Sequence, residues 1–137
     1  MSGAPKASVR AFLERWHAFV ADPDPAKLDG LLADTVVFHA PAYLKPRQGK
    51  AETKLVLATV ARVFEDFRYR RQWIEGDDIA LEFSARIGDK SLKGVDLVTV
   101  DAEGRAIDFE VMIRPLNALE ALFKAMAERI AQAQNSR

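Results

Sequence analysis

The chain has 137 residues, enough for one domain, spanning 1–137, with a real core. Lys+Arg and Asp+Glu number 20 each, a balance that argues against a general electrostatic grip on nucleic acid or an anionic membrane. The absence of cysteine excludes disulfides, thiolate metal sites and cysteine nucleophiles, and no apolar run approaches the roughly 20 residues that cross a bilayer.

Residues 8–21 read as an amphipathic helix, with Val9, Phe12, Leu13, Trp16 and Val20 on one face and Ser8 as its N-cap. In DPDP, Asp24 suits a cap and Pro25 the first position of a short helix that ends near Ala33. Residues 35–39 (TVVFH) have the β-branched content of a strand. Pro41, Pro46 and Gly49 make 40–49 a loop, and 50–65 a second long helix, apolar around most of its circumference.

After Asp66 the period changes from helical to twofold. Residues 67–75 alternate loosely, and 79–87 (IALEFSARI) alternate cleanly, with Ile79, Leu81, Phe83, Ala85 and Ile87 on one face. Gly88-Asp89 marks a hairpin into 91–100, and DAEG (101–104) a turn into 105–114, where Ile107, Phe109, Val111 and Ile113 face one way. Residues 116–133 form a final helix with Leu119, Leu122, Phe123, Met126 and Ile130 on one face. Helices gathered on one face of a curved, mostly antiparallel sheet make an α+β domain, a cone with a pocket suited to a small apolar molecule.

The order and spacing of VRAFLERWHAFV, LLADTVVFHAP, RQGKAET, KGVDLVTVDAEGR and DFEVMIRPLNALEAL resemble the nuclear transport factor 2-like superfamily, from about residue 8 to 123. That superfamily includes ketosteroid isomerase, scytalone dehydratase, limonene epoxide hydrolase and the SnoaL-like, polyketide-cyclase-like proteins. The last segment is most similar to an uncharacterised branch in which Arg-Pro-Leu follows an apolar final strand. The resemblance implies a cystatin-like α+β roll with a deep pocket, and a homodimer formed through the outer sheet face. Where ketosteroid isomerase has a hydrogen-bonding tyrosine, a general-base aspartate and a protonated acid, this chain has Trp16, His39 and Lys93. The epoxide hydrolase pattern is not matched either, since its late aspartate falls near Glu110 on the non-pocket face.

His39, in parity with Val37, is the candidate general base, because a neutral imidazole accepts a proton near neutrality. The competing reading is a packed strand-end histidine. Lys93, in step with Val95, Leu97 and Thr99, is the candidate oxygen-polarising group; its alternative is a strand-start lysine reaching water. Trp16, Tyr43, Phe64, Trp73 and Phe109 are candidate pocket walls, though aromatic residues also fill cores. Asp96, Glu110, Arg114, Glu82 and Arg86 are expected on a mixed outer face with Val98, Val100 and Met112, suited to a dimer interface. Two histidines without an acidic ligand at fixed spacing make no metal site, and the chemistry considered needs no cofactor. MSGAPKASVR lacks the apolar core of a signal peptide, so the expected location is the cytoplasm.

Three functions remain open on these grounds: a cofactor-independent isomerase, dehydratase or cyclase acting through His39, a non-catalytic small-molecule binding module, or a structural homodimer. The partners expected are a small apolar molecule and a second copy, with neither nucleic acid nor membrane.

Overall fold

The computed structural model describes residues 4–135, with the Asn135 side chain outside the description. The ends of the 1–137 span therefore lie outside the described residues. Helix α1 runs Ala7–Ala21, followed by a 3-10 helix Pro25–Gly30, strand β1 Leu32–His39, strand β2 Arg47–Gln48 and helix α2 Lys50–Val63. Strands β3 Glu65–Glu75, β4 Asp78–Ile87, β5 Lys90–Val100 and β6 Ala106–Arg114 follow, then helix α3 Leu116–Asn135. The expected order is present, with the two-residue β2 added inside the expected loop.

The six strands lie in the order β2-β1-β6-β5-β4-β3 in one open sheet. Every neighbouring pair is antiparallel except β1 with β6. That exception follows from connectivity: β1 reaches β6 only after the whole meander has been built, and it enters in the same direction. Gly88 closes the β4–β5 hairpin in the left-handed region (φ 58°), where a side chain would be strained.

Local signals act much as the sequence suggests, with small corrections. Asp24 caps the 3-10 helix by accepting from the Ala26 N–H at 3.0 Å. Ser8 is not the cap of α1: the helix begins at Ala7, after Lys6. The short helix ends at Gly30, so β1 starts three residues earlier than expected. Val9, Phe12, Leu13, Trp16 and Phe19 are the buried face of α1, and they pack on β1, β5 and β6 through Val36, Phe38, Val98, Val100 and Phe109. The Arg15 guanidinium fixes the position of α1 by donating to the Gly30 carbonyl (2.7 Å) and the Gly104 carbonyl (2.8 Å). Helix α2 buries only one side, and Leu55 on it is exposed.

Two strands invert the expected parity. Register places Leu81 opposite Asp96, Phe83 opposite Gly94 and Val111 opposite Asp96. Because β4 and β6 turn Leu81, Phe83 and Val111 inward, β5 must turn Gly94, Asp96, Val98 and Val100 inward as well. Asp96, Val98 and Val100 are buried accordingly, while Lys93, Val95, Leu97 and Thr99 belong to the outer face. In β1, Val36 and Phe38 are buried, which turns Val37 and His39 outward.

Candidate active site

The inner sheet face, α1, α2 and α3 enclose a cavity of about 100 Å³. Trp16 and Phe19 contribute from α1, Val56 and Val60 from α2, and Leu122 and Phe123 from α3. Phe64, Phe67 and Phe83 form an aromatic wall, with centroids 5.0 to 5.7 Å apart. Phe83 can lie flat over β5 because residue 94 is glycine. A Cβ there would come within 2.4 Å of the Phe83 ring and 2.6 Å of the Met112 carbonyl oxygen.

Two ionisable groups line this apolar space, Asp96 and Tyr69. The Tyr69 hydroxyl donates to Asp96 Oδ2 at 2.9 Å, and the Trp16 indole N–H donates to the same hydroxyl at 2.6 Å. Burial pushes the Asp96 carboxyl up to about 7, against the opposing pull of the Tyr69 hydrogen bond. Tyr69 is pushed well above its ordinary value by burial and by the adjacent Asp96 charge, so its proton stays in place. The arrangement is therefore a carboxyl raised toward neutrality in the wall of a largely apolar space, with a neutral hydroxyl beside it. Such a group can both take and return a proton.

The residues singled out from sequence divide between the two faces. Trp16 and Phe64 line the cavity, as expected. Phe109 is fully buried in the core, packed on Trp16 (5.2 Å) and Phe38 (6.0 Å), and does not reach the cavity. Tyr43 is exposed in the loop after β1, its ring edge against cavity-lining Phe123 at 5.8 Å.

His39, Lys93 and Trp73 lie on the outer face, contrary to their expected orientation. His39 Nε2 pairs with Asp108 Oδ2 at 3.1 Å, across the parallel β1–β6 ladder. Lys93 Nζ lies 3.5 Å from Glu82 Oε2, and Trp73 is half exposed beneath the Arg71 guanidinium. For His39 and Lys93 the reason is the register described above; Trp73 turns outward because the β3–β4 register shifts between Tyr69 and Gln72, which pairs Trp73 with Ala80. Asp96 was expected outside and is inside, while Glu82, Glu110 and Arg114 are outside as expected. Among the described residues, no three His, Asp or Glu side chains gather as a metal site.

Sequence reasoning missed Tyr69 and Asp96. The signals were present. Asp96 interrupts an apolar run two residues after a strand glycine, and Tyr69 alternates with Arg68 and Arg70 in step with Phe67.

The SnoaL-like domain matches residues 9–114, most of the length. The chain belongs to the SnoaL-like family. Solved structures agree with this family assignment. A steroid delta-isomerase from Pseudomonas aeruginosa is 41% identical over 98% of this chain and 99% of its own, with a TM-score of 0.92. An uncharacterized protein with a cystatin-like fold from Silicibacter pomeroyi is 38% identical over 91% of this chain and 89% of its own, with a TM-score of 0.84. An NTF2-like protein of unknown function from Mesorhizobium loti is 17% identical, covers 84% of this chain and 98% of its own, and has a TM-score of 0.72; it shares the fold. No functionally curated protein matches. The SnoaL-like fold and the likeness to a steroid isomerase suggest a ligand-binding or isomerase-like protein. Among the described residues no helix is long and apolar enough to cross a membrane.

Proposed function

We propose that this SnoaL-like protein shifts a proton within a small, neutral, carbonyl-bearing molecule held in the cavity, with the Asp96 carboxyl as proton carrier. The observation behind this reading is a single carboxyl, raised to about 7, in the wall of an otherwise apolar cavity. The 41% identity to a steroid delta-isomerase supports the same reaction class.

For a β,γ-unsaturated ketone the step balances without any other reactant. Ionised Asp96 takes the proton between the carbonyl and the double bond, breaking that C–H bond and forming its own O–H. The electron pair moves onto the carbonyl oxygen. The carboxyl then returns the proton at the far end of the double bond, and the carbonyl re-forms in conjugation. Once Asp96 is neutral, its hold on the Tyr69 hydroxyl weakens, and that hydroxyl can turn its proton toward the enolate oxygen. The apolar walls keep water from the enolate. Among the described residues no cation lines the cavity, so an anionic ligand is disfavoured.

The test follows conjugation by ultraviolet absorbance, using cyclohex-3-enone and a Δ5-3-ketosteroid as probes. Asp96→Asn should lower the rate about 10²- to 10⁴-fold, whereas His39→Ala should leave it near wild type. An Asn variant with full rate overturns the reading, and an inactive His39→Ala variant would restore the histidine as base. The nearly wholly apolar lining also favours a second reading, a binding module without turnover. Ketones that raise thermal stability and are recovered unchanged would establish it.

A further inference from the structure

We infer that Trp16 is a positioning residue: its indole N–H holds the Tyr69 hydroxyl so that, with the cavity empty and Asp96 ionised, the hydroxyl proton points at Asp96. This rests on the proton-carrier reading of Asp96, and it adds the residue that tunes that carrier.

The argument is one of hydrogen-bond direction. An indole N–H donates and never accepts. The 2.6 Å contact therefore fixes Tyr69 as the acceptor on that side. A phenol has one proton to give, and the polar atom left within reach is Asp96 Oδ2 at 2.9 Å. The chain Trp16, Tyr69, Asp96 thus runs one way, with every proton placed by the group that cannot reverse. A hydrogen bond aimed at the carboxylate favours its ionised form. Burial acts the other way and dominates, so Asp96 settles near neutrality rather than far above it.

The rigidity of the first member comes from packing. Trp16 is 4% exposed. Its ring is stacked 9° from the plane of Phe12 at 6.0 Å and wedged against Phe19 (5.4 Å) and Phe109 (5.2 Å). An indole so confined cannot swing its N–H elsewhere.

Few other charges compete for control of Asp96. Tyr69 faces it from β3, and the cavity-lining residues of α2, α3, β4 and β6 are apolar. From α1, the exposed His17 ring packs T-shaped with the Tyr69 ring at 5.4 Å, which makes His17 a titratable neighbour of this chain to be removed in any titration.

The test is a carbon-13 NMR titration of the Asp96 carboxyl, which needs no turnover, in wild type, Trp16→Phe, Tyr69→Phe and the double variant, all in a His17→Gln background. Trp16→Phe should raise the Asp96 midpoint by about one pH unit, because the hydroxyl is released and its charge-assisted bond is lost part of the time. In the Tyr69→Phe background the same substitution should change nothing, since Trp16 acts only through Tyr69. Benzothienylalanine at position 16 keeps the indole shape without the N–H; it should reproduce the shift even where Phe loosens the core. An unchanged midpoint in both replacements overturns the inference, as does an equal shift with and without Tyr69. If the midpoint moves as expected while no ketone is converted, the positioning stands and the catalytic reading of Asp96 falls.

Discussion

Asp96 and Glu82 sit on neighbouring strands of the same sheet, little of either is exposed, and they titrate in opposite directions. Asp96 faces inward, where its protein partner is a neutral hydroxyl, and rises to about 7. Glu82 faces outward. Arg71 grips it through two bonds of 2.5 and 3.1 Å, with Lys93 (3.5 Å) and Arg70 (3.8 Å) beside it, and it falls to about 2. The side chains differ by one methylene, so chemistry is not the cause. One face removes water and supplies no compensating charge; the other supplies cations to the carboxylate. The first arrangement leaves a carboxyl that titrates near neutrality, and the second leaves one that stays ionised.

The sharpest way to break this comparison is Asp96→Asn. Asp96 is raised from 3.8 in the unfolded chain to about 7 when folded. The folded state therefore binds the proton more tightly, and stability falls as pH rises between those values. About three units correspond to about 4 kcal/mol. Removing the charge should stabilise the protein by up to about that much above roughly pH 8, with the gain disappearing near pH 4. Urea denaturation across that range measures it, and a gain independent of pH would refute the burial argument.

A second intervention alters the inner face without touching its charge. Gly94→Ala puts a methyl group against both the Phe83 ring and the Met112 carbonyl oxygen, so the ring and the β5–β6 backbone must both shift. A loss of about 1–3 kcal/mol is expected, with weaker ketone binding, both readable by thermal shift.

Glu82→Gln should give a smaller loss that hardly varies between about pH 5 and 9. The Glu82 carboxyl is lowered from 4.5 to about 2, so its contribution is complete above the unfolded value and fades only as pH drops through the folded one. A loss that grew from pH 5 to 9 would contradict the assignment.

Least change in chain stability is expected from Met112→Glu. Met112 and Trp73 are about half exposed on the outer face, where a second copy is expected to pair. Sedimentation should show the wild type as a dimer and the variant as a monomer. A monomeric wild type removes that expectation.

Legibility from sequence follows the same division. Element order, both hairpins, Trp16 and Phe64 were readable because periodicity and turn chemistry are local. Strands β4 and β6 were readable in parity because polar residues mark one face, except at Ile107, which is exposed while Ala106 is buried where the β5–β6 register shifts. Strands β1 and β5 were not. VVFH and VDLVTV place apolar residues on both sides, so alternation does not choose between registers. Asp96 was then assigned to water, since a charge in a strand ordinarily marks the wet side. Only pairing with β4 and β6, a non-local property, turns it inward. That register takes Lys93 out of the cavity, the pairing of β1 with β6 takes out His39, and the Tyr69–Asp96 pair stands in their place.

The chain holds two tryptophans, one buried beside the cavity and one half exposed on the opposite side. Their emission should differ in colour, blue for Trp16 and red for Trp73. A Trp73→Phe protein would therefore carry an unlabelled optical reporter, whose quenching follows occupancy of the inner compartment alone.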